Sequence, residues 1–233
     1  MLPPLAAVAH ELRTPLDGMT ALLALLASTP LDDEQRAHVA ALAEAAAGMQ
    51  RLVDDALRLA RLDAGARPPD PAPCDVRDVV AGVARTLGAR AAAKALAFET
   101  AVDDAVPPAL ALDGGLLRQI ALNLAGNAVK HTWRGTVRVH AAWRAADDDG
   151  GGTLRLTVAD TGPGLTEAQR ARLFRAWERA GADDAVEGVG LGLYLARACV
   201  ERLGGTIGAE GEHGRGAAFV VEIPVRRLRN GGF

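Results

Sequence analysis

Apolar residues in the first 65 positions recur at alternating spacings of three and four, which is the heptad pattern of helices that pack along a narrow seam. The seam positions are Leu5, Val8, Leu12, Pro15, Met19, Leu22 and Leu26, followed by Val39, Leu42, Ala46, Met49, Val53, Ala56 and Ala60. Between these two sets, residues 28–33 break the helix and offer N-cap residues. Residues 1–66 are therefore predicted to form a helical hairpin. Because two helices cannot enclose both seams, we expect a homodimeric four-helix bundle.

A proline-rich run follows the hairpin, and we predict a linker over residues 67–73 with neither helix nor sheet. Beyond it the pattern alternates between helical and strand periodicity. Helices are predicted over 76–94, 115–131 and 191–203, and strands over 96–100, 136–144, 153–160, 206–210 and 217–225. This order predicts an α/β sandwich over residues 74–228, with 229–233 as a tail. The acidic, glycine-rich residues 147–152 are interpreted as a solvated hairpin loop rather than a metal site.

Composition narrows the classes of function. The chain has 233 residues, 49% of them hydrophobic, and its net charge of -3 comes from intermixed charges without a basic patch, so we expect no nucleic-acid partner. The longest apolar run, from Met19 to Ala27, is shorter than the roughly 20 residues that span a bilayer. Cys74 and Cys199 match no disulfide or metal spacing. We expect a cytoplasmic fragment without membrane contact, whose parent protein can still be membrane-anchored.

His10 is the first candidate for chemistry. At 100° per residue, His10 and Thr14 fall about 180° from the hairpin seam, so both are expected to face solvent. A neutral imidazole is nucleophilic near neutral pH, and the adjacent Glu11 can accept a proton from one ring nitrogen while the other attacks phosphorus. Pro15 lacks the N–H that would bond the carbonyl of Glu11, so the helix is expected to be kinked or loosened there. Taken alone, a solvent-facing histidine of this kind is usually inert.

A second candidate is one face of the helix over 115–131. Asn123, Asn127 and Lys130 lie four and three residues apart and so share that face. Carboxamide oxygens suit Mg²⁺, which prefers oxygen ligands and bridges substrate phosphates, and lysine offers those phosphates a point charge. An ordinary polar helix face is the alternative interpretation of these three residues.

Two glycine-rich segments complete the candidates. Asp160 ends a strand before Gly162 and Gly164, where backbone can approach a ligand closely and a carboxylate can accept a hydrogen bond from an exocyclic amine. The segment 188–193 supplies backbone N–H groups at a helix N-terminus, which is a natural anion site. Its candidate residues are Gly188, Gly190, Leu191 and Gly192. Each segment by itself is weak evidence.

Taken in order, these segments resemble the motifs of sensor histidine kinases of two-component systems. Residues 10–16 resemble the H box residue for residue, 123–132 the N box, 160–164 the G1 box, 173–179 the F box and 188–193 the G2 box. Residues 214–219 resemble the last glycine element. In the F box, Ala176 and Trp177 replace the usual proline and phenylalanine, and in the last element alanine replaces the usual threonine.

The resemblance implies a dimerisation and histidine-phosphotransfer hairpin followed by an ATP-binding domain of the Bergerat type. His10 would take the γ-phosphoryl group of Mg-ATP with Glu11 as general base, and pass it to an aspartate on a response-regulator receiver domain. Thr14 would orient water when the same protein dephosphorylates that regulator. Asn127 would ligate Mg²⁺ and Asp160 would bind the adenine amino group.

The resemblance also places the remaining candidates around the nucleotide. His131 stands where the family often has an aromatic residue, so we interpret it as a nucleotide contact rather than a second phosphoacceptor. Asn123, Lys130, Phe174 and the glycines would complete the site. Two alternatives stay open: an ATPase of the same fold, as in DNA gyrase, the heat-shock chaperones or the serine kinases that inhibit sigma factors, and a dimeric scaffold without turnover. The H box argues against the first, and the intact nucleotide motifs argue against the second.

Overall fold

The computed structural model describes residues 5–63, 69–146, 150–174 and 191–228. These residues form two compact units, one comprising residues 5–63 and the other comprising the described residues from 69 onward. None of the helices in the described ranges combines the length and the apolar character that crossing a bilayer requires.

The first unit is a hairpin of two helices, α1 (Leu5–Ala27) and α2 (Asp33–Asp63). Asp32 caps α2, because its Oδ1 accepts the N–H of Gln35 at 2.8 Å while the Gln35 side chain accepts the N–H of Asp32 at 3.2 Å. α1 continues through Pro15 without a break in the helix. The predicted helical hairpin is thus confirmed.

The contact between α1 and α2 is made by Leu16 and Leu23 on α1 and by Ala46 and Leu57 on α2, all buried. Leu16 and Leu23 are not among the predicted seam positions. Most of the described large seam residues are exposed in the single chain, with Leu25 beside them. The exposed set is Leu12, Met19, Leu22, Leu25, Leu26, Leu42 and Met49. One apolar stripe of α1 therefore packs on α2, and a neighbouring stripe faces outward.

The second unit is built on a five-stranded mixed sheet. In their order across the sheet, its strands are β2 (Ala97–Val102), β4 (Thr136–Ala145), β5 (Gly151–Asp160), β7 (Ala217–Arg226) and β6 (Thr206–Gly211). The pair β2 and β4 is parallel, and the other three pairs are antiparallel. All five strands fall within two residues of the predicted ranges.

Three helices pack on this sheet: α3 (Val76–Ala93), α4 (Gly114–His131) and α6 (Gly192–Arg202). They lie within one residue of the predicted bounds, and a short helix, α5 (Glu167–Arg170), follows β5. Buried and less buried residues alternate along β4, β5 and β7, so one sheet face packs on the helices and the other faces solvent. α4 lies between α3 and α6 and is apolar toward both. The second unit is the predicted α/β sandwich.

The predicted linker is wrong at its end. Pro73 begins a two-residue strand, β1 (Pro73–Cys74), which pairs with β3 (Leu110–Ala111) in an antiparallel sheet that the sequence did not predict. The N–H of Leu112 extends this pairing by donating to the carbonyl of Ala72 at 3.2 Å. A proline is tolerated here because the first residue of an edge strand need not donate a hydrogen bond.

Candidate functional site

The H-box segment lies on α1, within the hairpin unit. His10 belongs to the helix, although its side chain lies outside the described part of the structure. The next residue, Glu11, is exposed, and so is Thr14 one turn beyond His10, in agreement with the solvent-facing surface expected for Thr14. The side chain of Arg13, on the same turn, forms an ion pair with Asp54 of α2.

A polar cleft between the two helices adjoins this turn. One turn beyond the ion pair, Gln50 donates to Asp17 Oδ1 at 2.8 Å, so α1 and α2 are linked twice in the same antiparallel register. The cleft has a volume of about 230 Å³. Its lining residues are Arg13, Leu16, Asp17, Gln50, Val53 and Asp54. These contacts fix the rotation of α1 next to the turn that carries His10.

The three polar residues of α4 occupy one half-buried face, as the spacing predicts. Asn123, Asn127 and Lys130 are each partly accessible, while Leu124 and Ala128 on the other face are fully buried. Asp113 caps the start of α4, since its Oδ1 accepts the N–H groups of Gly115 and Leu116 at 3.0 Å each. The polar face is therefore held by a capped helix that is anchored in the core.

Asn123 carries an unsatisfied group. Its Oδ1 accepts a hydrogen bond from Gln119 Nε2 at 2.8 Å, but its Nδ2 is buried and has no hydrogen-bond partner among the described residues. Because an unpaired buried amide is costly, this donor favours an acceptor from beyond the described residues. An anionic or carbonyl oxygen of a bound ligand would satisfy it.

Asp160 is the last residue of β5, and its side chain is half-buried. Its Oδ1 accepts the N–H of Gly162 at 2.8 Å, and its carboxylate also accepts the N–H of Ala217. Burial raises the pKa of the Asp160 carboxyl, and these two hydrogen bonds partly offset that rise. Ala217 is the cross-strand partner of Asp160, so the carboxylate is held from the neighbouring strand as well as from its own turn.

The turn after Asp160 is wedged between two other segments. On one side, a Cβ at Gly162 would lie 2.8 Å from Asp160 Oδ1 and 3.1 Å from the carbonyl oxygen of His131 at the end of α4. On the other side, Gly164 has a φ of +71°, and a Cβ there would lie 1.9 Å from the carbonyl oxygen of Glu212. The N–H of Gly214 donates to the Pro163 carbonyl at 2.7 Å. Gly162 and Gly164 thus allow the backbone of this turn to pack closely against the segments on both sides.

His131 is the last residue of α4, where it is partly accessible. Burial lowers the pKa of its imidazole to about 4, and the positive charges of Lys130 and Lys94 contribute further. The ring is consequently neutral near pH 7. A neutral imidazole presents an apolar face and one acceptor nitrogen, which suits contact with a nucleotide base better than contact with a phosphate.

Of the remaining predicted residues, Phe174 follows α5, and Leu191 and Gly192 lie at the start of α6. Phe174 packs edge-on against Phe219 of β7, with ring centroids 6.5 Å apart. Leu191 is buried and is the N-cap residue of α6, and Gly192 is the first residue of that helix. Gly188, Gly190 and Trp177 lie outside the described residues.

The structure therefore groups most of the predicted nucleotide residues. α6 packs on α4, and the Asp160 turn contacts the end of α4, so Asn127, His131, Asp160 and Leu191 belong to one region of the second unit. His10, Glu11 and Thr14 belong to the other unit. Sequence reasoning missed the N–H of Ala217, because a predicted hairpin does not specify which residue lies opposite Asp160.

The donor set in this region fits a magnesium ion that arrives with a phosphate substrate. The described residues contain no cluster of three or more His, Cys, Asp or Glu side chains that could hold a metal by themselves. The half-buried Asn127 offers a carboxamide oxygen. Mg²⁺ prefers oxygen ligands and is commonly held by one or two protein groups, with substrate phosphates and water filling the other positions.

Comparison with known proteins places both units in families. Residues 5–65 match the His Kinase A (phospho-acceptor) domain. Residues 112–227 match the histidine kinase-, DNA gyrase B- and HSP90-like ATPase family, which is the Bergerat-type fold expected for the second unit. The full-length structure of ShkA in complex with AMPPNP is similar, with 40% identity and a TM-score of 0.77, over 97% of this chain and 47% of that one.

Curated relatives agree with these matches. The sensory/regulatory protein RpfC of Xanthomonas campestris is 36% identical over 95% of this chain and 31% of its own length. The sensor histidine kinase AruS of Pseudomonas aeruginosa is 37% identical over 94% of this chain and 22% of its own length. The chain thus spans about a third or less of these relatives. With a phosphoacceptor hairpin joined to an ATP-binding α/β unit, the chain belongs to the sensor histidine kinases of two-component systems.

Proposed function

We propose that this chain is a kinase core in which residues 74–228 bind Mg-ATP and residues 1–66 present His10 to its γ-phosphate. The observation that carries the proposal is the polar face of α4 beside the Asp160 turn. That face includes the buried Nδ2 of Asn123, which has no hydrogen-bond partner in the described part of the chain. The Asp160 carboxylate is held there by two backbone N–H groups.

Each group has a role that follows from its chemistry. The Asp160 carboxylate accepts a hydrogen bond from the adenine amino group, since a carboxylate accepts hydrogen bonds and does not donate them. The neutral ring of His131 lies against the base. Lys130 supplies positive charge to the phosphates, and the Nδ2 of Asn123 donates to a phosphate oxygen. Asn127 holds Mg²⁺, which when bound neutralises charge on the transferred group.

Residues of the H box supply both the nucleophile and the proton acceptor for the transfer step. One imidazole nitrogen of His10 attacks the γ-phosphorus, the bond between that phosphorus and the β–γ bridging oxygen breaks, and ADP leaves. Glu11, which is exposed on the same turn of α1, accepts the proton from the other ring nitrogen. The phosphoryl group then passes to an aspartate on the receiver domain of a response regulator. Thr14 orients the water that later hydrolyses the acyl phosphate on that regulator.

The hairpin acts as a homodimer. Its outward stripe includes Leu12, Met19 and Leu22, which are 49%, 48% and 62% exposed in the single chain. Burying such side chains against a second copy gains about 25 cal/mol per Å² of apolar surface, and a four-helix bundle is the arrangement that covers both helices.

The test compares two variants, each incubated with γ-labelled ATP. His10→Gln should remove all acid-labile label but bind a non-hydrolysable ATP analogue as the wild type does. Asp160→Asn should lose both the label and the binding of the analogue, because the amide can place a donor against the adenine amino group. Label that persists in His10→Gln would falsify the phosphoacceptor assignment. Equal affinity in Asp160→Asn would contradict the adenine assignment.

A further inference from the structure

Lys94 joins the ends of two helices in the second unit. It is the C-cap residue of α3, and its ammonium reaches the C-terminus of α4. The Nζ donates hydrogen bonds to the carbonyl oxygens of Val129 at 2.8 Å, Lys130 at 2.8 Å and Thr132 at 3.2 Å. Lys94 lies outside the sensor-kinase motifs, and its hydrogen-bond partners lie more than 34 residues further along the chain.

Every hydrogen-bond donor of the Lys94 ammonium is paired in this contact. An ammonium has three N–H donors, and here each one has a backbone carbonyl as its acceptor. The last carbonyls of an α-helix have no partner within the helix, and they carry the negative end of its dipole. A cation placed among them pairs these groups and is attracted by their partial charge. Lys94, from the C-terminal end of α3, thus caps the C-terminus of α4.

Trp133 lies over this contact. The Lys94 Nζ is 4.9 Å from the centroid of the Trp133 ring, within the range of a cation–π interaction. The indole is 61% exposed, so it lies at the surface beside the buried end of α4. Burial lowers the pKa of the Lys94 ammonium, and the nearby charge of Arg90 lowers it further. Lys94 is consequently a partly dehydrated charge, held in place by backbone oxygens and one ring.

The turn that Lys94 holds belongs to the candidate site. It carries Lys130 and His131, and the carbonyl oxygen of His131 packs against Gly162 of the Asp160 turn. We infer that Lys94 is a positioning residue for the nucleotide: by fixing the last turn of α4, it sets where Lys130 and His131 meet the phosphates and the base. This inference rests on the proposed function, because it assigns the same site a supporting residue that touches neither the nucleotide nor His10.

Lys94→Met tests the inference, because methionine keeps much of the side-chain length but leaves three carbonyls without their donor. The matched control is Arg90→Met, which removes a positive charge from an exposed position one turn earlier on the same helix. In the full chain, Lys94→Met should raise the dissociation constant for Mg-AMPPNP about tenfold, as expected for weakened positioning of one charged contact. Arg90→Met should change that constant less than about twofold.

Two further readouts separate positioning from a general loss of structure. For autophosphorylation, Lys94→Met should raise the ATP concentration for half-maximal rate about tenfold and lower the rate at saturation less than about twofold, since Lys94 does not touch the reacting atoms. The tryptophan emission should also shift in Lys94→Met and not in Arg90→Met, because the ammonium leaves the Trp133 ring. Unchanged half-saturation together with unchanged emission would overturn the inference.

Lys94→Arg keeps the test decisive if Lys94→Met does not fold. A guanidinium retains the charge, but its planar donors cannot reproduce three converging N–H groups, so we expect nucleotide affinity between the wild type and the tenfold loss. Affinity equal to that of the wild type would overturn the inference. A wild-type chain that fails to bind Mg-AMPPNP would instead refute the proposed function, and the inference with it.

Discussion

The hairpin and the α/β unit bury their apolar residues to very different extents. Among the described hairpin residues, four apolar side chains are buried, namely Leu16, Leu23, Ala46 and Leu57. Seven large apolar side chains of the same hairpin are exposed. In the α/β unit, by contrast, whole rows of β4, β5 and β7 and the inner face of α4 are buried. The described part of the hairpin thus buries a few side chains along the contact between its two helices, whereas the α/β unit encloses a core of its own.

The difference bears on how each unit works. A helix whose apolar stripe awaits a partner depends on that partner for stability, so its stability is tied to protomer concentration. A site whose residues are fixed by buried helix faces and paired backbone groups, as around Asp160, is organised within one chain. We therefore expect dimerisation to determine the stability of the hairpin and to leave the intrinsic affinity of the α/β unit for nucleotide unchanged.

The largest expected effect comes from placing a charge on the outward stripe. Leu22 is 62% exposed in the single chain, so Leu22→Glu would cost little if the chain acted alone. In a dimer the substitution removes a buried leucine from each protomer and buries a carboxylate, so the dissociation constant of the dimer should rise at least about 100-fold. Sedimentation velocity over a range of protein concentrations measures this change.

Ala21→Glu is the control for that substitution. Ala21 is also exposed, but it lies about 100° from Leu22 around α1 and further still from the centre of the predicted seam. It should leave the dimer intact, and both variants should bind Mg-AMPPNP with the affinity of the wild type. If Leu22→Glu had the same oligomeric state as the wild type, the outward stripe would not be the dimer surface.

The two units also differ in how well the sequence predicted them. In the α/β unit, helix bounds were correct within one residue because the apolar periods are long, and the structure shows Asp75 and Asp113 capping α3 and α4 where these helices begin. In the hairpin, the helices were correct, but of the four buried residues that pack within the chain only Ala46 is a predicted seam position, and Leu16, Leu23 and Leu57 are not. A heptad pattern marks every apolar stripe of a helix, and it cannot say which stripe meets the same chain and which meets another copy.

Within the site, the sequence predicted which residues share a helix face, but it did not predict the contacts between residues that are distant along the chain. The face shared by Asn123, Asn127 and Lys130 follows from helix geometry alone. The pairing of β1 with β3 and the reach of Lys94 depend on residues brought together only by the fold. The two-residue strands are too short for a period, and a proline at Pro73 argued against any strand.

A pair of glycines in the β6–β7 connection tests how closely the α/β unit is packed around Asp160. Gly214 and Gly216 have nearly the same positive φ, +84° and +85°. A Cβ at Gly216 would lie 2.0 Å from the carbonyl oxygen of Asp160, whereas a Cβ at Gly214 meets nothing within 4 Å. Each alanine pays a similar conformational cost of about 1 kcal/mol, so the difference between the two variants isolates the contact with Asp160.

We expect Gly216→Ala to weaken binding of Mg-AMPPNP about tenfold, since the backbone of Asp160 must shift. Gly214→Ala should change the affinity less than about threefold. Isothermal titration of both variants provides the comparison, and thermal melts show that each is folded at the temperature of the titration. Equal losses of affinity would mean that the packing against Asp160 does not position the carboxylate.

The smallest expected effect is a pH dependence confined to the α/β unit. The pKa of His131 is lowered to about 4, mainly by burial, from an ordinary value of 6.5. As the pH falls below 6.5, the unfolded chain takes up a proton that the folded chain does not, so stability is lost between pH 6.5 and pH 4. Because the ring is only partly buried, this loss should be up to about 2 kcal/mol.

His131→Phe retains an aromatic ring without a titrating group, so its free energy of unfolding should fall less steeply over the same range. Urea unfolding of both proteins at several pH values measures the difference in slope. The hairpin contributes nothing to this difference, and two parallel curves would show that His131 does not resist protonation in the folded state.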